Sequence, residues 1–328
     1  MLHIMETEYL DSLIQDWWAG ADNPTNVVVA CSGGVDSMSL AHTLTHLPDV
    51  TLHAVIVDHQ LQPGSDLVAQ AAAQTLHDWG YHHIRIKAVD IPGCRNLEER
   101  ARFARYRVIS EYLRSIDNED TALLFAHHRD DQVETMLMGY ARGSGLTSIK
   151  GMALSNGRVH RPLLLTSKNT IRDYAETVGI TYWEDPTNHD PEANRRSRLR
   201  DQLKQVVADG LDAHALDNMA HTAVMLQRDD DYLNMQAQQL REAHTTPDGK
   251  QRLIPADTHP AISTRVAVQW MKENGIYTVN RHAVRKVTEV LTGDTPRCSV
   301  PTPVGKLGRY LVERTNGVLR LECAEERE

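Results

Sequence analysis

Ser32-Gly33-Gly34-Val35-Asp36-Ser37 is the stretch on which the interpretation of this 328-residue chain depends. It follows an apolar, β-branched run at 26–31, which predicts a buried strand, and it precedes apolar residues at helical spacing, which predict a helix from about Asp36. In a strand–turn–helix unit, backbone N–H groups and the helix N-terminus converge on an anion. The two glycines let the backbone approach a phosphate, and the Asp36 carboxylate fits beside that phosphate if a Mg²⁺ ion bridges the two. The sequence therefore predicts a phosphate site.

Composition and charge exclude several classes of protein. Hydrophobic residues make up 41% of the chain and charged residues 24%, which is ordinary for a globular protein. No apolar run approaches the roughly 18 residues that span a membrane, and no secretory signal is visible, so we expect a cytoplasmic protein without a membrane partner. The four cysteines are scattered and form no Cys-x-x-Cys, which argues against a disulfide framework, a zinc ribbon or an iron–sulfur cluster. The net charge of −9 argues against bulk nucleic-acid affinity but allows a local basic face.

The chain pattern predicts two domains, 1–208 and 209–328. The first alternates short apolar runs with helical patterns, which predicts an α/β fold with a doubly wound, mostly parallel sheet. The second is predicted to be mainly helical, with helices near 212–243, 259–274 and 280–292 and a small hairpin in the tail. A short strand is also predicted at 181–183.

Polar residues follow two further predicted strands. Asp58 and His59 follow the strand at 51–57, and ligands of doubly wound folds lie outside the carboxyl ends of the strands, so we expect both residues near a nucleoside. His127 follows the strand at 122–126, and helical spacing then places Asp131 and Glu134 on one face. Two carboxylates at i and i+3 suit binding an ammonium or Mg²⁺, or accepting a proton. Asp130 is expected to cap this helix.

Two arginine clusters and one glycine-containing stretch each allow two interpretations. Arg102 and Arg105 lie three apart on a helix that begins near 97, and they form either a solvated basic face or a phosphate site. The basic segment 195–200 is either an RNA-phosphate contact or a solvated helix start. The glycine-containing stretch from Arg142 to 151 is either a lid or an ordinary linker.

Five segments, taken in order, resemble the tRNA(Ile)-lysidine synthases, a family of the PP-loop or N-type ATP pyrophosphatases with an adenine nucleotide alpha hydrolase-like fold. The loop quoted above resembles the Ser-Gly-Gly-x-Asp-Ser pyrophosphate loop of that superfamily. The chain is similar to the short form of the family, with a C-terminal domain that recognises tRNA. The matching segments are 32–37, 57–59, 101–106, 126–135 with 142–146, and 184–188 with 196–200.

This resemblance implies a substrate set and a reaction. ATP and Mg²⁺ are the implied cofactors, and free L-lysine and the isoleucine tRNA with anticodon CAU are the implied substrates. Lysine would be ligated to C2 of the wobble cytidine through an adenylated intermediate, giving lysidine, AMP and pyrophosphate. The sequence leaves the oligomeric state open, and a homodimer is compatible with it.

The resemblance also implies a role for each matching residue. The implied catalytic residues are Asp36, Arg105, Asp131, Glu134 and Arg200. The implied nucleotide-binding residues are Ser32, Gly33, Gly34, Val35, Asp36, Ser37, Asp58, His59 and His127, with Asp36 also on the metal. The implied binding residues for tRNA or lysine are Arg102, Asp131, Glu134, Arg142, Arg196 and Arg200.

Three other functions compete with this one. The nearest is another adenylating tRNA-modification enzyme such as a tRNA thiolase, although the cysteine pattern counts against it. A metal-dependent phosphoesterase built on Asp58, His59 and the His127-His128 pair would leave the glycine loop unexplained. An RNA-binding module with a degenerate ATP site is the third, and ATP-dependent chemistry would exclude it.

Overall fold

The computed structural model describes two compact units, Met1–Leu226 and Gln227–Glu328. The described residues are 2–91, 97–116, 118–143, 145–184, 198–199, 202–203, 210, 214–276, 280–301 and 309–324. The predicted domain boundary at 208/209, the basic segment 195–197 and Arg200 fall outside them. That boundary stays a prediction.

The first unit contains the predicted α/β sheet. Its strands in sheet order are β3 (His83–Ala88), β2 (Thr51–Asp58), β1 (Asn26–Cys31), β4 (Thr121–Leu124), β6 (Val159–His160) and β5 (Ser155–Asn156). All neighbouring pairs are parallel except β5 with β6. The expectation of a mostly parallel sheet is confirmed, and the two short strands β5 and β6 were not predicted.

Helices cover both faces of this sheet, which explains why its central strands are apolar without alternation. They are α1 (Leu2–Gly20), α2 (Val35–Leu44), α3 (Ser65–Asp78), α4 (Leu97–Ile116), α5 (Arg129–Ala141), α6 (Leu146–Ile149) and α7 (Lys168–Val178). Val27 and Val29 face a core that includes Leu10 of α1, whereas Val28 faces the opposite core with Val108 of α4. A long helix, α8 (Ala215–Ala243), continues into the second unit.

The second unit combines helices with a small sheet. It contains α9 (Pro260–Glu273) and α10 (Arg281–Leu291), followed by the antiparallel strands β7 (Arg297–Pro301), β8 (Arg309–Thr315) and β9 (Val318–Ala324). Trp270, Val287 and Val312 lie in its own hydrophobic core. The predicted helical character is confirmed, but the predicted hairpin is a three-stranded sheet. Within the described residues, no helix is both long enough and apolar enough to cross a bilayer.

The segment that follows α5 is fastened to that helix at two points. The buried side chain of Gln132 donates to Met152 O at 2.9 Å and accepts from Met152 N–H at 2.7 Å. Further along α5, a Cβ on Gly139 would lie 2.4 Å from the carbonyl oxygen of Ser148. The backbone of α6 therefore packs on α5 at a distance that only glycine permits.

We expect Gly139→Ala to destabilise the first unit by about 1–3 kcal/mol, because the added methyl group meets backbone that cannot rotate away. Gly145→Ala is the matched control, since a Cβ there has nothing within 4 Å. Its cost should stay within about 0.5 kcal/mol. Urea unfolding followed by circular dichroism measures both, and equal midpoints for the two variants would contradict the close packing.

Candidate active site

The glycine loop joins β1 to α2 and is braced by its own two serines. Ser32 N–H donates to Ser37 Oγ at 3.1 Å, and the Ser37 hydroxyl donates to Gly34 O at 3.0 Å. Ser32 Oγ accepts from Gly34 N–H at 3.4 Å. Val35 begins α2, so the loop ends at a helix N-terminus, as an anion site requires.

Two neighbours fix the loop from outside. Gly33 has φ +79°, and a Cβ there would lie 3.4 Å from both Ala72 and Val68 of α3. Gly33 O accepts a hydrogen bond from Trp183 N–H at 2.9 Å. The strand predicted at 181–183 is wrong: these residues form no strand, and the Trp183 amide bonds to the loop instead.

His128 joins the loop to α5. Its Nε2 atom lies 3.8 Å from Asp36 Oδ2 and 3.5 Å from Asp131 Oδ2, and its side chain is 4% exposed. The His128 N–H also donates to Asp131 Oδ2 at 3.1 Å. His128 is therefore the N-cap of α5 and Asp131 closes the cap, so the prediction that Asp130 caps the helix is wrong. His128 was predicted only as part of the alternative phosphoesterase site.

The two carboxylates of α5 differ in exposure. Glu134 is fully buried, and the Asp131 side chain is 15% exposed. A buried glutamate is rare unless it is paired, because burial penalises its charge. Glu134 therefore differs from a solvated helix residue, in agreement with the apolar residues that follow it on α5.

Arginines surround the other histidines of this sheet edge. Arg105 Nη2 lies 3.4 Å from His59 Nε2. Burial and the Arg105 charge lower the pKa of His59 to about 4, and Asp58 opposes the shift. Burial also lowers the pKa of His127 to about 4, with Asp131 opposing and three guanidinium groups adding to the shift. These three belong to Arg161, Arg102 and Arg105.

Arg161 is a site residue that the sequence reasoning missed. It directly follows β6, donates to Ala153 O at 2.9 Å and lies with its guanidinium carbon 5.9 Å from the centre of the Phe125 ring. Because β6 has only two residues, the sequence shows no strand periodicity there that would reveal the position of Arg161 at a strand end.

The remaining predicted residues lie elsewhere in the first unit or outside the described residues. Asp58 is buried and accepts from Gln60 N–H at 2.9 Å, so it stabilises the turn after β2. The Arg102 guanidinium lies over the Tyr106 ring at 5.5 Å, and Arg142 is exposed at the end of α5. Arg196 and Arg200 lie outside the described residues. A ligand role for any of these residues stays a prediction.

The loop, its helix and the parallel sheet define a PP-loop nucleotide-binding domain, and residues 3–207 match the family model for that domain. Three curated relatives refine this class. The chain is 34% identical to the tRNA(Ile)-lysidine synthase of Rhodococcus erythropolis, over 85% of this chain and 83% of that protein. Identity to the synthase of Streptomyces coelicolor is 33% over 89% and 84% of the two chains, and to that of Nocardia farcinica 34% over 90% and 91%. The protein belongs to the tRNA(Ile)-lysidine synthase family, as the sequence motifs led us to expect.

We expect Gly33→Ala to weaken nucleotide binding strongly, because a side chain at φ +79° strains the loop and tightens its packing on α3. Gly80→Ala is the matched control: its φ is +87°, but a Cβ there has nothing within 4 Å. Both substitutions should lower the unfolding free energy by about 1–2 kcal/mol, the cost of a left-handed non-glycine residue. Titration with ATP should separate them, and ATP binding by Gly33→Ala at the wild-type affinity would contradict the assignment.

The depressed pKa of His127 predicts a stability that falls in acid. The pKa of about 4 keeps the ring neutral in the folded protein down to about pH 4, whereas in the unfolded chain it protonates near its ordinary pKa of 6.5. The unfolded state therefore binds more protons, and the unfolding free energy should fall as the pH drops from 6.5 towards 4. His127→Gln should flatten this slope in denaturant titrations at several pH values. His77→Gln, with a side chain 75% exposed, should leave the slope unchanged.

Proposed function

We propose that this protein ligates L-lysine to C2 of the wobble cytidine of the CAU-anticodon isoleucine tRNA, at the expense of ATP. The proposal rests on the position of His128, whose imidazole lies next to both the glycine loop at 32–37 and the acidic helix α5. Asp36 from the loop and Asp131 from α5 both lie within 3.8 Å of His128 Nε2. A nucleotide on the loop would thus react beside carboxylates suited to an amine.

The first half of the reaction activates the base. The cytosine O2 atom attacks the α-phosphorus of ATP, and the bond from that phosphorus to pyrophosphate breaks. The loop N–H groups and the start of α2 face the phosphates, and the Arg105 guanidinium offsets their charge. Such fixed donors act where negative charge develops on the leaving group.

A Mg²⁺ ion fits the chemistry of this loop. Asp36 lies in the first turn of α2, with its carboxylate 30% exposed. Among the described residues, no three His, Cys, Asp or Glu side chains form a protein cage for a metal. Mg²⁺ typically uses one or two carboxylates together with substrate phosphates, so Asp36 would hold it once ATP is present. The ion would then neutralise charge on the pyrophosphate.

The second half of the reaction joins lysine to the activated base. The ε-amino group, with a reference pKa of about 10.4, must lose a proton before it attacks C2. Asp131 and Glu134 orient the ammonium, and one of them accepts this proton. The amine then forms the C2–N bond while the C2–O bond to AMP breaks.

Two alternatives are less well supported. The relatives named above are all lysidine synthases, which favours lysine transfer over tRNA thiolation. The phosphoesterase would need a metal beside His59, but the Arg105 guanidinium lies 3.4 Å from its Nε2 atom. The positive charge of Arg105 would repel a metal ion beside His59 and would attract a phosphate.

The decisive experiment uses unmodified transcripts of the CAU isoleucine tRNA and of a methionine tRNA. Each is incubated with protein, ATP, Mg²⁺ and labelled lysine, and then treated with mild alkali to remove aminoacyl esters. We expect alkali-stable label on the isoleucine transcript alone and none with Asp36→Asn. Label on neither transcript, or equal label on both, would contradict the proposal.

Glu134→Gln tests the lysine step separately. We expect it to retain ATP-dependent adenylation of the tRNA while lysine transfer falls at least about 100-fold, the usual size of a lost acid–base contribution. Glu176→Gln, at an exposed position of α7, is the control. Thermal unfolding verifies that both variants fold, and unimpaired lysine transfer by Glu134→Gln would remove this role.

A further inference from the structure

An aromatic ring stands exposed on the arginine-rich helix α4. The chain has two phenylalanines. Phe125 is buried at 5% exposure, whereas Phe103 is 68% exposed. Within the described part of the chain, no aromatic or cationic side chain lies against the Phe103 ring. The packing of the fold therefore gives no reason for an aromatic residue at this position.

Helix α4 carries five arginines and three glutamates, so the surroundings of Phe103 are basic on balance. Arg100 and Arg107 lie three residues before it and four after it, so helical spacing places them on the same face. The Arg107 side chain is 72% exposed, and its Nε atom lies 4.0 Å from the Glu111 carboxylate at the next turn. Arg102, the preceding residue, is about 100° away around the helix and stacks over Tyr106 on the side of the catalytic cluster. Phe103 therefore lies between an exposed cationic face and the arginines of the site.

This combination favours one kind of occupant. The whole chain carries a net charge of −9, so a cationic face is a local feature with a polyanion as its complement. An apolar protein partner would use the ring but would offer no anion to the two exposed guanidinium groups beside it. Unpaired nucleotides use both, because their bases stack on aromatic rings and their phosphates pair with arginine.

We propose that Phe103 is a stacking platform for an unpaired anticodon-loop base next to the target cytidine, with Arg100 and Arg107 on the flanking phosphates. The inference rests on the proposed function, which brings that loop to the edge of the sheet beside α4. The ring holds a base and takes no part in the chemistry, so Phe103 is a positioning residue.

Substitution of Phe103 should change affinity for RNA and little else. Phe103→Ala should raise the KM for the tRNA transcript, and the Kd for an anticodon stem-loop, about tenfold, within the range for loss of one stacked base. The KM values for ATP and lysine and the rate at saturating tRNA should stay at the wild-type level. Phe103→Trp should bind at least as tightly as wild type, whereas Phe103→Leu should resemble Ala. Tyr9→Ala, on α1 and 48% exposed, is the matched control and should bind normally.

A fluorescent base reports stacking directly. In a stem-loop with 2-aminopurine beside the wobble position, binding to wild type should quench the fluorescence, and binding to Phe103→Ala at saturation should not. Full affinity of Phe103→Leu would show that an apolar surface suffices and would overturn the stacking role. Competition by polyglutamate as effective as that by RNA would assign the face to an acidic protein and also overturn it.

The same measurements separate this inference from the proposed function. If wild type forms lysidine and Phe103→Ala binds and modifies tRNA equally well, the inference fails alone. If the protein binds tRNA through Phe103 but transfers no lysine, the proposed reaction fails and the stacking role stands. If no variant binds the stem-loop, both fail.

Discussion

The burial of one parallel sheet on both faces is the constraint on which the site depends. β1, β2 and β4 run in the same direction, so the residues that follow each strand meet at a single edge. The glycine loop follows β1, Asp58 and His59 close β2, and His127 and His128 come after β4. Residues far apart in the chain thus share one site, and the left-handed turn at Gly33 lets the loop lie against α3 there.

The neighbouring histidines after β4 divide this site by charge. His127 lies among guanidinium groups that help to keep its ring neutral against the opposing charge of Asp131, whereas His128 Nε2 lies within 3.8 Å of the carboxylates of Asp36 and Asp131. Successive residues of an extended segment project in opposite directions, so the two rings reach opposite surroundings. The arginine side suits phosphate and the carboxylate side suits an ammonium. In the proposed reaction the nucleotide phosphates are negative and the lysine ammonium is positive, so each substrate has a side of the site with the opposite charge.

The sequence was informative where a local pattern carries the structure. β-branched runs, the glycine loop and helical spacing predicted β1, β2, α2 and the acidic face of α5, because these features depend on residues close in the chain. Arg161 was missed because a two-residue strand has no period, and because Phe125 and His127, the site residues near it, are more than 30 residues away in sequence. The wrong cap residue of α5 has a similar origin. Asp130 and Asp131 are both aspartates and could both accept the capping hydrogen bond, but the helix begins at Arg129, which places Asp131 at the third helical position, where that bond forms. The strand predicted at 181–183 does not form, because the Trp183 N–H donates to the Gly33 carbonyl of the loop rather than to a sheet edge.

Helix α5, which carries Asp131 and Glu134, is fixed near its start by several hydrogen bonds and one ion pair. Arg129 N–H donates to Thr166 O at 2.9 Å, and the Arg129 guanidinium pairs with Asp217 in the first turn of α8 at 2.7 Å. Gln132 then ties the next turn to Met152 through two hydrogen bonds. A carboxylate as buried as Glu134 is desolvated when the chain folds, so that cost is met before any substrate arrives. Such a group binds a cation well only if its position is fixed in advance, since reorganisation would consume the binding energy. In the proposed reaction, the contacts at the start of α5 would fix the positions of Asp131 and Glu134 before lysine binds.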